Sequence, residues 1–446
     1  MMVSSWFMMF ALMFNIAITN NSNCPNRQSI AESLQKAHIP GAAIIVVNAT
    51  HTLYEQAFGF QSLSPNQLMN IDKSIFTLAS ISKTFIAAAA MQLVDLDTDV
   101  NRYLSEPERR IFHPNYTSHS ITLRRLLSHS ASIYVNPQVR NTYYRPNDDV
   151  FNESLAEFCF KYVNPNTPYW LPKPPGTVTS YSNEGTALAA LVVERITNMS
   201  YIDYVKQKVL APLGIDVTKV GVRLADFVNT EDFVKHYVYA LNSSHLIWWN
   251  RQIPQLHITQ IPGNLPTWLH ISHFGFSPYP SALLRMSART LSVYLQMFLN
   301  NGSNILHSLS IAEMRIVVGG GLISPYNQGL ASNSTGRRLP SEFGLAWYWY
   351  TMSNGRRYIG HTGAIPGVLH LMLVNEKNNL GVIVLSNGDA TEPTDLSKEI
   401  IETVERIHMT LFECFDVNLG HASAFRTKKT LVKYFFAIFL IFDTFV

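Results

Sequence analysis

Strand-like runs stand at both ends of this chain, and helical periodicity fills the stretch between them. Residues 41–48 and 53–59 are rich in β-branched and aromatic side chains and flank a short turn at 49–52, the pattern of a hairpin. From Gly344 onward strands are expected at 345–351, 357–361, 369–375 and 380–386, with Asn354-Gly355 and Asn378-Asn379 at turns, and a closing helix at 394–412. Between the two groups, apolar residues recur at helical spacing over 86–93, 121–127, 185–198, 201–213 and 288–300. This order predicts an α/β plus all-α chain: one antiparallel sheet built from both chain ends, flanked by helices, with a helical lobe inserted. Two independent domains in series do not fit it; one domain over 24–415 does.

Residues 231–276 are the exception. They carry many aromatics, among them Trp248, Trp249 and Trp268, without a clear period, and read as a long irregular insertion that either lines a site or fills a core.

With 446 residues, 47% of them hydrophobic, the chain has enough apolar surface for a large core, which excludes intrinsic disorder. A net charge of +3 without a long basic run gives no reason to invoke nucleic acid or an anionic membrane surface, so the expected partner is a small-molecule or peptide substrate. Only Cys24, Cys159 and Cys414 are present: at most one disulfide forms, one thiol is left over, and a structural zinc site is not expected. The chain also lacks a His-Glu-x-x-His motif, so no metal or other cofactor is expected.

The ends bear on location. Residues 6–18 form an apolar run followed by small residues, which reads as a signal peptide over 1–19 or as an uncleaved N-terminal anchor. Sequons at Asn20, Asn48, Asn115, Asn152, Asn198, Asn242, Asn301 and Asn333 point to a secreted or cell-surface glycoprotein. In the tail 416–446, Lys428-Lys429-Thr430-Leu431-Val432-Lys433 precedes nine apolar residues, too short a run to span a bilayer as a helix. A removable GPI-anchor signal and a simple hydrophobic tail both fit, so any membrane association runs through a terminal anchor.

Ser80-Ile81-Ser82-Lys83 leads the apolar run at 86–93. On a helix, residues three apart lie about one turn from each other on one face, so the Ser80 hydroxyl and Lys83 amine can share a proton. Ser33 and Lys36 satisfy the same spacing, which by itself decides nothing. A serine needs a group to accept its proton, and an ordinary lysine, with a pKa of roughly 10.4, is charged at neutral pH. Tyr181, in Tyr181-Ser182-Asn183 just before a helix, is the second candidate; its phenol would have to fall by about three pKa units, roughly 4 kcal/mol, to act as a phenolate at pH 7. Lys83 and His361 nearby would supply much of that, so a shared Lys83/Tyr181 proton network is expected. In His361-Thr362-Gly363-Ala364, at a strand end, the N–H of Ala364 with that of Ser80 could hold an oxyanion, because Gly363 lets a ligand approach the backbone.

Ser80-Ile81-Ser82-Lys83, Tyr181-Ser182-Asn183 and His361-Thr362-Gly363, in that order, resemble the three motifs of the serine β-lactamase-related family, in the branch of class C β-lactamases, D-Ala-D-Ala carboxypeptidases and family VIII esterases. The similarity extends over about residues 30–412. It implies a β-lactamase/transpeptidase-like fold and an acyl-Ser80 intermediate with Lys83 and Tyr181 as general base. It also implies that Asn183, His361, Thr362, Gly363 and Ala364 bind substrate. His361 stands where β-lactamases usually have lysine, Ser132 replaces a family glycine, and Ala282-Leu283 replaces a Gly-Gly. His129 has no partner in these motifs and reads as structural. Two function classes follow: a secreted serine hydrolase cleaving an ester, amide or lactam, or a catalytically silent binding or scaffold protein.

Overall fold

The structure, a computed structural model, describes residues 24–93, 95–104, 108–326, 342–392 and 394–416. The 1–19 leader, the tail after Asp416, and the sequons at Asn20 and Asn333 lie outside the described residues.

Seven strands form the sheet: β1 (Gly41–Val47), β2 (Thr52–Leu63), β3 (Asn66–Leu68), β4 (Tyr348–Thr351), β5 (Arg357–Ile365), β6 (Val368–Asn375) and β7 (Gly381–Ser386). Their order is β4-β5-β6-β7-β1-β2-β3, antiparallel throughout. The two chain ends join at β1 and β7, where Ala42 pairs with Ser386 and Val47 with Gly381.

Every residue of β1 is buried because both faces of the sheet are covered. Five helices matter here: α1 (Arg27–Lys36), α2 (Lys83–Met91), α3 (Asn183–Thr197), α4 (Ala288–Leu299) and α5 (Asp395–Phe415). Ala42, Ile44 and Val46 face one way, toward Ile30 and Leu34 of α1 and Ile400, Val404, Ile407 and Leu411 of α5. Ala43, Ile45 and Val47 face the other way, into the core shared with α2, α3 and α4. This alternation is the period-two geometry of a strand meeting the 3.6-residue period of its helices. A disulfide between Cys24 and Cys414 ties the start of α1 to the end of α5, and Cys159 remains a buried thiol.

Residues 231–276 correct the expectation of an irregular insertion. They contain a three-stranded antiparallel sheet, His236–Ala240, Thr267–Ile271 and Ile258–Gln260, and a helix, Ser243–Gln252. A further strand, Phe274–Phe276, pairs with Tyr144–Pro146. Strands of three to five residues are too short to display a period among so many aromatics. Among the described residues no helix is long and apolar enough to cross a membrane.

Candidate active site

The Ser80 segment begins as the short strand Phe76–Thr77, paired with Arg285–Met286. Ala79 then takes a left-handed conformation, φ 48°, uncommon for a residue with a Cβ, and the chain turns through a 3-10 segment, Ala79–Ser82, into α2. Ser80 therefore projects from this turn, while Lys83 is the first residue of the α-helix. The expected i, i+3 proximity survives because a 3-10 turn also stacks such residues.

Thr77 anchors the turn. Its carbonyl accepts from His370 Nε2 at 3.0 Å and its hydroxyl from Arg285 Nε at 3.2 Å. His370 Nδ1 in turn accepts the Ser386 N–H at 3.2 Å, so β6 and β7 hold the Ser80 segment through one neutral imidazole. Burial pushes the His370 pKa down to about 4. Neither His370 nor Arg285 belongs to a motif, and nothing in the local sequence marks them.

Lys83 is fully buried, and its Nζ lies 3.1 Å from Ser80 Oγ, 2.7 Å from Asn183 Oδ1 and 3.0 Å from the Ser281 carbonyl. Burial pulls its pKa well below that of an ordinary lysine; the Glu184 carboxylate opposes this and the Arg140 guanidinium adds to it. A neutral amine has two N–H donors and one lone pair. As an ammonium Lys83 would donate to all three partners; as a neutral amine it would spend both donors on Asn183 and Ser281 and turn its lone pair to the Ser80 hydroxyl. The Ser281 carbonyl, a main-chain group in the segment where the family Gly-Gly is replaced, carries no side-chain signal.

Tyr181 comes from the other side. The next residue, Ser182, caps α3, accepting the Gly185 N–H at 2.9 Å, and its own N–H donates to His129 Nδ1 at 3.1 Å. His129 also accepts the Ser180 N–H on its carbonyl at 2.8 Å and lies 4.4 Å, ring to ring, from Tyr181. It holds the Tyr181 segment in place. Ser132, the position of the family glycine, keeps the left-handed backbone at φ 60°.

The Tyr181 hydroxyl hydrogen-bonds Ser80, yet its pKa moves opposite to expectation: burial raises it, and the Ser80 bond only partly offsets this. Lys83 Nζ also lies 4.9 Å from the centroid of the Tyr181 ring. Burial thus shifts both groups toward their uncharged forms.

His361, on β5, is buried, and its Nδ1 donates to the carbonyl of Thr362. Burial, reinforced by Lys83, pushes its pKa down to about 3, so it does not replace the charge of the lysine usual at this position. Gly363 is pressed against the Ser80 turn: a Cβ there would lie 2.5 Å from the Leu78 carbonyl and 3.2 Å from the Ala79 side chain. Ala364 follows it, paired with Leu369 of β6. Thus Ser80, Lys83, Tyr181, Asn183, His361 and Gly363 converge on one place, whereas Ser33 and Lys36 lie on α1, with Ser33 bonded to its own helix. Among the described residues no group of His, Cys, Asp and Glu could hold a metal ion.

A serine hydroxyl facing a buried amine, beneath a sheet drawn from both chain ends, defines a serine hydrolase of the Ser-x-x-Lys type. The beta-lactamase family model matches residues 26–404, and the chain belongs to that family. It is similar to Penicillin-binding protein 4* of Bacillus subtilis (strain 168), with 21% identity over 395 residues, 85% of this chain and 75% of that protein. It is also similar to Protein flp of Staphylococcus aureus (strain N315), with 22% identity over 83% of this chain; here it spans 64% of the relative, less than two thirds. The fold is that of the D-amino acid amidase from Ochrobactrum anthropi SV3, with a TM-score of 0.62 at 17% identity over 86% of this chain and 97% of that one. It is shared by the octameric penicillin-binding protein homologue from Pyrococcus abyssi, with a TM-score of 0.62 at 18% identity over 84% and 76%.

Proposed function

We propose that this chain hydrolyses an ester, amide or lactam through an acyl-Ser80 intermediate. The observation that carries the reading is the set of three contacts on Lys83, which hold its amine 3.1 Å from the Ser80 hydroxyl. Ser80 Oγ attacks the carbonyl carbon as its proton passes to Lys83 Nζ. The resulting oxyanion is held by the N–H groups of Ser80 and Ala364. Collapse expels the leaving group, protonated by the Tyr181 phenol, and Lys83 returns its proton to Tyr181 through the Ser80 network. Water then attacks the acyl-enzyme by the same path in reverse. Asn183 positions Lys83.

The raised phenol and lowered amine support a reading in which Lys83 is the base in the free protein and Tyr181 the acid. Secretion fits the reading too, since the Cys24–Cys414 bridge suits an oxidising compartment and the sequons at Asn115, Asn152, Asn198, Asn242 and Asn301 are exposed.

Labelling with a fluorophosphonate or a fluorescent penicillin tests the chemistry: wild type should be labelled and Ser80→Ala should not. Equal labelling of both, or of neither, would rule out acyl-Ser80. A mass loss on enzymatic deglycosylation of protein recovered from medium tests the location.

A further inference from the structure

Three consecutive side chains at the start of α3 serve one place. Ser182 caps the helix, Asn183 receives the Lys83 amine at 2.7 Å, and Glu184 accepts the Ser182 hydroxyl on Oε2 at 2.9 Å. Glu184 is 1% exposed, and its Oε1 is buried without a hydrogen-bond partner among the described residues. A carboxylate taken out of water is costly and is usually met by donors on both oxygens. Arg140, 4% exposed, on the helix Pro137–Asn141, brings the opposite charge into the same interior. Buried charges add little to stability compared with apolar residues of the same volume, so two of them behind a serine and a lysine point to a task at that site.

Both charges act on Lys83, with opposite sign: the Glu184 carboxylate favours the ammonium and the Arg140 guanidinium disfavours it. They act on the Tyr181 phenol as well, which Arg140 lowers and Glu184 raises. The other titratable groups facing them carry no charge near neutral pH. His129, just after the helix Leu123–Leu127, and His361 on β5 are pushed down by burial first and by Lys83 second. Tyr143 and Tyr144, which follow the Arg140 helix, and Cys159 on the helix Leu155–Tyr162 are pushed up by burial, as Tyr181 is. That leaves Glu184 and Arg140 as the two fixed charges acting on Lys83 among the described residues.

We propose that Glu184 and Arg140 are positioning residues of the Ser80 site, a buried anion and cation whose balance sets how readily Lys83 takes the Ser80 proton. They act through Lys83 rather than on the substrate. The inference rests on the acyl-Ser80 reading and deepens it, by naming what tunes its base. The sign is fixed by charge: without the carboxylate the free amine persists to lower pH, and without the guanidinium it appears only at higher pH.

The test follows the rate of fluorophosphonate labelling across pH. Labelling of wild type that is lost in Ser80→Ala establishes the acyl-Ser80 reading; without it that reading fails and this inference falls with it. Glu184→Gln keeps the shape and an acceptor for Ser182, and should move the rising limb to lower pH by about half a unit or more, the scale of one charge roughly 10 Å away in a protein interior. Arg140→Gln should move it as far to higher pH. At a pH on the wild-type limb, Glu184→Gln should then label about threefold faster or more and Arg140→Gln about threefold slower or more, since half a unit is that factor in the free amine. A merely structural role would slow labelling at every pH and leave the limb in place. That result in a folded variant, or limbs that move the same way in both, overturns the inference while acyl-Ser80 stands. If one variant does not fold, the limb of the other decides.

Discussion

The Lys83 amine lies 2.7 Å from the side-chain oxygen of Asn183, joining the first turn of α2 to the first turn of α3 across 100 residues of sequence. That bond fixes where the amine points, and burial pulls its pKa down. A carboxylate at this position would favour the ammonium. Asn183→Asp should therefore shift the rising limb of the kcat/KM–pH profile to higher pH and lower the rate at pH 7 by about tenfold or more, since a one-unit shift in the base alone is a factor of ten in its free form. A limb that stays put would remove Lys83 as the base.

Gly363→Ala places a methyl group 2.5 Å from the Leu78 carbonyl, a backbone atom two residues before Ser80. The strand and the nucleophile turn must part by several tenths of an ångström. We expect kcat to fall by about a hundredfold, the scale of losing one oxyanion donor, with a smaller loss in melting temperature. Steady-state kinetics beside a melting curve separates the two effects.

Acid–base behaviour of stability has a clear sign at Glu405. Burial, helped by the nearby Glu402 charge, pushes its pKa up to about 7, above its value in the unfolded chain. The folded state then holds a proton that the unfolded state releases, so the contribution is fully present below pH 4.5 and is lost as pH rises through 7. Glu405→Gln should melt higher than wild type at pH 8, and the difference should vanish by pH 4.5. His361 has the opposite sign: its pKa, lowered to about 3, costs stability as pH falls from 6.5 toward 3.

Cys414→Ser opens a loop that closes residues 390 apart. Chain entropy and disulfide-deletion precedents put the loss at about 2–5 kcal/mol, read as a lower denaturation midpoint. Because the bridge fastens α1 to α5, on the sheet face away from α2, turnover at 25 °C should remain within twofold of wild type.

The motifs were legible because they stand where elements begin and carry residue types suited to those places. Ser80 opens a turn before an apolar helix, Asn183 starts a capped helix, and Gly363 sits where only a missing Cβ lets strand and turn meet. The joining of β1 to β7 could also be anticipated, since strand patterns occur at both ends. α1 could not: only Ile30 and Leu34 are buried in it, too few apolar positions to show a helical period. Equally silent were His370, Arg285 and the Ser281 carbonyl, whose roles come from partners 198 to 293 residues away.

By itself the sequence determined which groups are present, that the chain pairs its two ends into one sheet, and that Ser80, Lys83 and Tyr181 share company with His361. Only the tertiary structure decided which way their pKa values move. Burial raises the Tyr181 phenol and lowers the Lys83 amine, where residue types alone suggested a lowered phenol beside an ordinary lysine. A pKa and a hydrogen bond depend on distance, direction and loss of water, and those are set by long-range packing rather than by neighbours in the chain.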